Sequence, residues 1–300
     1  MELEDEGGGR ELLWQTILSG LAVGSLYALS AIGLVLIFKT SNIVNFAQGQ
    51  MAMLSTFVAF QMLTRWGFPY WLAALASLVF ALVFGFFVYI VFLSRLKRAE
   101  VLSQIILTLG LYLVFRGVAG VLWGNVPFTM PAAVSTNTVH IGSAVVTWYQ
   151  LFIMIVTLLL MLVFYAMFRY TKTGLAMRAV SQNQQAARLM GVSLTRIYGA
   201  TWAVSTALGA IAGLLIAPIL FLSPSFMDSV AVKAFAAAVL GGFSSLPGAV
   251  LGGLVLGVME SVFGFYISTD LKSTFVFLLI IGILYVRPQG LFGTREVKKV

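Results

Sequence analysis

The sequence predicts an all-α, polytopic integral membrane protein, and three observations predict it. The chain has 300 residues, 60% of them hydrophobic and only 9% charged, where soluble domains carry about a quarter charged residues. Its mean hydropathy is +1.01. The apolar residues fall in repeated long runs rather than in period-two alternation, which excludes a membrane β-barrel. The expectation is eight or nine transmembrane helices, one of them short and broken or re-entrant, with a hint of an inverted repeat.

Residues 1–12 hold five of the ten acidic residues and a glycine triplet, and are expected to be a flexible tail. An acidic start cannot be the n-region of a cleaved signal peptide, so the first apolar run is expected to be retained. That run, about 13–38, carries Gly20 and Gly24 at the spacing that lets helices approach closely in lipid. The second span, to about residue 63, opens on Asn42, Asn45, Gln48 and Gln50. Amides entering a membrane either pair between helices or line a wet path. The third span, about 70–93, ends in Arg95, Lys97 and Arg98, a cytoplasmic marker. The fourth, about 102–123, contains Arg116, expected to snorkel to the headgroups.

Residues 124–148 have no Lys or Arg and read as an outside loop. They hold His140, the sole histidine, which without carboxylate or thiol neighbours reads as a surface residue. After a fifth span, about 149–168, comes a polar island, Tyr170–Ile197, with Lys172, Arg178, Arg188 and Arg196 and no carboxylate. A weak apolar stripe predicts one or two short amphipathic helices there. Two readings compete: a docking site for a partner, or a loop that only fixes topology.

The sixth span, about 198–222, contains ALGAIAGLLI, which matches ALSAIGLVLI of the first span at six of ten positions. Opposed crossings with shared sequence are how many transport proteins are built. The segment at about 229–242 rises only about 21 Å as a helix, less than a hydrocarbon core of about 30 Å. GGFSSLPG then breaks the chain before a longer helix, about 249–266. Such a break is tolerated only inside protein or beside a cavity, which makes Ser244 and Ser245 path candidates with Asn45, Gln48 and Gln50. Lys233 and Glu260 are positioned to pair across this hairpin. The last span, about 274–286, leads to a basic tail, 288–300. One transmembrane domain, 13–287, is expected.

Net charge is +8, but the cations cluster beside apolar runs, which suits topology and lipid headgroups rather than nucleic acid. With the island and C-terminus inside, thirteen of eighteen Lys and Arg lie inside and the N-terminus outside. Cysteine is absent, so thiolate sites and disulfides are excluded. There is no phosphate-binding GxxxxGK[ST], no HExxH and no carboxylate cluster in the membrane. No catalytic residue, metal or cofactor is expected. What remains is a solute path driven from outside the chain.

QAARLMG, from Gln185 to Gly191, resembles the EAA-x-x-x-G coupling loop of ABC importer permeases, with Gln185 in place of glutamate. GLAVGSLYALSAIGLVLIF, NIVNFAQGQMAML, GLAMRAVSQNQQAARLMGV, KAFAAAVLGGFSSLPGAVLGGLVLGVMES and RPQGLFG are similar, in order, to LivH-type permeases of branched-chain amino acid importers. Where that family shows His-Gly-Glu or His-Gly-Gln, this chain has Gln48-Gly49-Gln50. The resemblance implies a bacterial inner-membrane subunit with a second, homologous (LivM-like) permease, two cytoplasmic ATPases and an external solute-binding protein. It implies leucine, isoleucine or valine as cargo, with urea or short amides as alternatives. It further implies that Gln185, Ala186, Ala187, Arg188, Met190 and Gly191 couple to an ATPase. Ala187 and Met190 would be its apolar contacts and Arg188 its rim charge. The competing reading is a stand-alone secondary transporter or channel, with Glu260 as its coupling acid.

Overall fold

The computed structural model describes residues 3–96, 100–141 and 144–293. Lys97 and Arg98 of the predicted basic cluster lie outside these, as do Arg295, Lys298 and Lys299 of the tail. In chain order the helices are α1 (Leu3–Ser41), α2 (Gln48–Thr64), α3 (Tyr70–Val91), α4 (Val101–Trp123) and α5 (Trp148–Tyr170). They continue with α6 (Lys172–Gln182), α7 (Gln184–Leu189), α8 (Leu194–Leu220), α9 (Phe226–Gly241), α10 (Leu246–Tyr266) and α11 (Lys272–Val286). The protein is thus an all-α, multi-pass membrane protein, with one small addition. The loop between α4 and α5, read as external, folds back as a hairpin of β1 (Thr138–Ile141) and β2 (Ala144–Thr147), with His140 exposed on β1 opposite Val145. Helix α1 starts at Leu3, inside the acidic run read as a tail.

Six helices among the described residues are long and apolar enough to cross a membrane. They divide by burial. The most apolar stretches of α1 and α8 are 83% and 72% buried, that of α10 is 44% buried, and those of α3, α4 and α5 are 28%, 22% and 17% buried. The first two are enclosed mainly by protein. Helices α3, α4 and α5 present rows of exposed Leu, Val and Ile, such as Leu113, Val121, Leu158 and Val163. Patches of that size are incompatible with water and fit lipid.

The chain divides into two compact units. The first is Met1–Ala31, Ala132–Leu159 and Lys233–Val300. Here α1 and α10 meet through glycines. A Cβ on Gly24 would lie 2.8 Å from the Gly253 carbonyl oxygen, and one on Gly20 2.8 Å from Val258 Cα. Both are closer than any side chain permits, so the small-residue spacing read in α1 is a contact surface. The RPQGLFG stretch closes the end of α9: Leu291 N–H donates to the Leu240 carbonyl at 2.8 Å and Phe292 N–H to the Gly241 carbonyl at 3.2 Å. Carbonyls left without partners by the helix end are thereby satisfied.

The second unit is Ile32–Pro131 and Leu160–Val232. It is built on α3 laid against α8 and α2. The Ser77 hydroxyl donates to the Ser55 carbonyl at 2.6 Å, and a Cβ on Gly85 would lie 2.6 Å from the Trp202 carbonyl oxygen, so this glycine lets the α3 and α8 backbones approach closely. Phe57 stacks on Trp123 at 4.7 Å, and Trp123 Nε1 donates to Gln61 Oε1 at 3.1 Å. That indole bond fixes α4 against α2.

Candidate functional site

The basic island folds as two short helices, and its sequence says why. Thr171 caps α6, its hydroxyl accepting from Gly174 N–H at 3.0 Å. Asn183 both ends α6 and caps α7, its Oδ1 accepting from Ala186 N–H at 2.9 Å. Capping by these residue types replaces the missing helical acceptors. Helix α7 then ends in a Schellman turn. Val192 N–H donates to the Ala187 carbonyl at 3.0 Å and Gly191 N–H to the Arg188 carbonyl at 3.1 Å. Gly191 carries φ +83°, the left-handed conformation this motif requires.

That turn decides which side chains face outward. Leu189 and Met190 are 89% and 84% exposed, while Ala187 is buried at 5%. The apolar contact expected of Ala187 is therefore corrected: α7 turns this residue inward, and Leu189 stands beside Met190 in its place. Gln185, Ala186, Arg188 and Gly191 are exposed around the pair. At its base, Gln184 Nε2 donates to the Thr40 carbonyl at 3.4 Å, in the last turn of α1.

From that last turn the chain enters the predicted polar stretch. Asn45 is buried, and its Oδ1 accepts from Ala47 N–H at 3.0 Å, which shapes the turn into α2. Gln48 is buried over Gly33, where a Cβ would lie 2.5 Å from its Nε2. Gln50, fully buried, donates from Nε2 to Asp228 Oδ1 at 2.7 Å. The N-terminal turns of α2 and α9 meet here, and a Cβ on Gly49 would lie 3.3 Å from the Met227 carbonyl oxygen. Arg116 on α4 completes the cluster. Its Nη1 donates to Asp228 Oδ2 at 3.1 Å and to the Tyr112 hydroxyl at 2.9 Å. Arg116, expected to snorkel to the headgroups, thus has a carboxylate partner on another helix.

Ser244 and Ser245 are half-buried at the α9–α10 break, in the other unit. The Ser245 hydroxyl accepts from Gly248 N–H at 3.0 Å and so caps α10. In the same unit Lys233 Nζ lies 2.5 Å from Glu260 Oε1, with side chains 17% and 8% exposed. The ammonium also sits 5.4 Å from the centroid of the Tyr27 ring, a cation–π distance.

Residues 16–284 match the model of a family described as branched-chain amino acid transport system / permease component. The chain belongs to this permease family. It is 32% identical to the high-affinity branched-chain amino acid transport system permease protein LivH of Escherichia coli (strain K12), over 95% of this chain and 97% of that protein. It is 30% identical to the corresponding BraD protein of Pseudomonas aeruginosa, again over 95% and 97%. The solved structure of PsaBC from Streptococcus pneumoniae in complex with Fab aligns over 96% of this chain and 97% of that one, with a TM-score of 0.50 and 12% identity. At that identity the likeness concerns the fold alone.

Two features of this permease-family chain escaped the sequence reading. Asp228 falls between the predicted span ending at about 222 and the segment starting at about 229, and its partners Gln50 and Arg116 are 178 and 112 residues away. The second is the backbone ahead of α2 and α9. Among the described residues, Asn42 at φ 56° and Phe221 at φ 58° are the non-glycine positions with positive φ. Each falls five residues after its copy of the shared ten-residue stretch. The match in sequence thus continues as a match in chain geometry, and aligning the two copies would have pointed to it.

Proposed function

We propose that this chain is the membrane-spanning permease subunit of an ATP-driven importer of branched-chain amino acids or closely related solutes. ATP hydrolysis resides in two separate cytoplasmic ATPases, and the solute is delivered by an external binding protein. A second, homologous permease completes the bacterial inner-membrane complex. Family membership supports the class. The observation that carries the coupling is α7, a short helix locked by caps at both ends that holds Leu189 and Met190 outward with Arg188 at the rim. Exposed apolar side chains on a rigid helix are suited to a groove on a partner. The contact of Gln184 with the end of α1 supports a route from that groove to the Asn45–Gln50 turn. Asn45, Gln48, Gln50, Ser244 and Ser245 are assigned to the path.

In this reading residues 13–287 act as one permease domain between two short tails. The chain crosses nine times, N-terminus outside and C-terminus inside. With the island inside, α8 exits, and α9, α10 and α11 must all cross to bring Arg287 and the basic tail back inside. The paired backbone turns at Asn42 and Phe221 support an inverted repeat, α1–α2 against α8–α9. The test uses the reconstituted complex. Replacing both Leu189 and Met190 by Asp should abolish solute-stimulated ATP hydrolysis and co-purification of the ATPases, since each buried apolar contact is worth about 1.5–3 kcal/mol. Arg188→Glu should weaken both. Unchanged stimulation in these variants would remove α7 as the coupling element.

A further inference from the structure

We infer that Asp228, Gln50 and Arg116 form a recognition site for the charged backbone of a zwitterionic amino acid, at the meeting of the α2 and α9 N-termini. The inference rests on the importer reading for its cargo and on the following geometry for its site. Both helices are long, 17 and 16 residues, and their first turns converge on Asp228. The positive ends of two helix dipoles favour a negative group there, and broken helices at mid-membrane are where transporters hold anionic substrate groups. One carboxylate, Asp228, already occupies the place. Its Oδ1 is held by Gln50 and its Oδ2 by Arg116.

A second observation points to a missing ligand. Gln50 is 0% exposed, yet its Oε1 accepts no hydrogen bond within the structure. A buried carbonyl oxygen without a donor is costly, on the order of 1–3 kcal/mol, and native structures rarely leave one idle. What Oε1 lacks is a donor beside a carboxylate, and an ammonium group supplies three.

The third observation concerns Arg116. Its side chain is 46% exposed although it sits within a membrane-crossing helix, and that of Asp228 is 32% exposed. Inside a bilayer, a guanidinium this exposed has to face a wet cavity or protein, not hydrocarbon. An ion pair this open is weak, about 0–1 kcal/mol, so exchanging it for a ligand costs little. The α-ammonium of the ligand would bind Asp228 and Gln50 Oε1. Arg116, braced by the Tyr112 hydroxyl at 2.9 Å, would turn its fork to the α-carboxylate. Urea and uncharged amides offer neither charge and would be disfavoured. A clamp holding α2, α4 and α9 together is the structural alternative, and it makes a different prediction.

The test is saturation-transfer NMR on the purified full chain in nanodiscs, with L-leucine as probe. Leucinamide, which lacks the carboxylate, and 4-methylpentanoate, which lacks the ammonium, serve as comparisons. Wild type should bind leucine at least about tenfold more tightly than either, the equivalent of one lost charged contact. The double variant Arg116→Gln, Asp228→Asn retains a neutral hydrogen-bonding pair and should keep its melting temperature while losing this preference. Gln50→Leu should weaken leucine and leucinamide, which carry the ammonium, and spare 4-methylpentanoate. No leucine signal in wild type, or an unchanged preference in the double variant, overturns the inference. Loss of the importer reading would instead appear as failure to capture an ATPase, which this measurement does not involve.

Discussion

Gly191 shows how far one residue can set a surface. Its φ of +83° closes the Schellman turn, and only that turn leaves Leu189 and Met190 outside. No heavy atom lies within 4 Å of a Cβ built there, so backbone conformation and not space demands glycine. A non-glycine residue in this conformation is disfavoured by roughly 1–2 kcal/mol, and Asn by less. Gly191→Ala should therefore reduce solute-stimulated ATP hydrolysis in the reconstituted complex by about tenfold, while Gly191→Asn retains most of it. Global thermal stability should not move in either case. Equal activity in all three proteins would mean that the turn is not needed for coupling. At this scale the sequence was informative where chemistry is local. The caps at Thr171 and Asn183 and the glycine are visible as a pattern over a few residues. Arg116 was not legible, because its partner Asp228 is 112 residues away and nothing in either segment refers to the other.

Between elements, the α9–α10 hairpin is held by different forces at its two levels. At the break, Gly242 has φ +94° and the chain after α11 donates to the carbonyls of Leu240 and Gly241. Further along, Lys233 and Glu260 pair at 2.5 Å with little solvent access. Desolvation makes such a pair a weak source of stability, but leaving one partner alone costs about 3–5 kcal/mol. Glu260→Gln should lower the thermal stability of the purified chain sharply, and Lys233→Met should do the same. The double variant Lys233→Met, Glu260→Met should recover to near wild type. Additive losses in the double variant would show that the two side chains act separately. The hairpin itself was readable from a 14-residue apolar run followed by glycines, short for a span and too apolar to be a loop. The role of RPQGLFG was not, since backbone donors filling a helix end leave no signature in side-chain pattern.

For the whole molecule, hydropathy made the order of helices legible because lipid selects apolar length directly. It could not reveal that α2 and α9 meet through their first turns, which depends on where the chain turns back, at Asn42 and Phe221. Orientation follows from charge alone and is open to a direct test. The chain has no cysteine, so single substitutions report unambiguously. His140 is exposed on the β1–β2 hairpin and Gln185 on the island. If cations stay inside, as the positive-inside rule requires, His140→Cys should react with a membrane-impermeant maleimide in intact spheroplasts. Gln185→Cys should react only after the membrane is opened. Four crossings, α8 to α11, then separate Gln185 from Phe292 and five separate His140 from it, which places a cysteine at Phe292 with Gln185 and not with His140. Labelling of Phe292→Cys from outside would mean that α9 dips into the membrane without crossing, and the hairpin would have to be redrawn as a re-entrant loop. Labelling of Gln185→Cys from outside would be more serious, since a coupling helix facing away from the nucleotide pool has nothing to couple to.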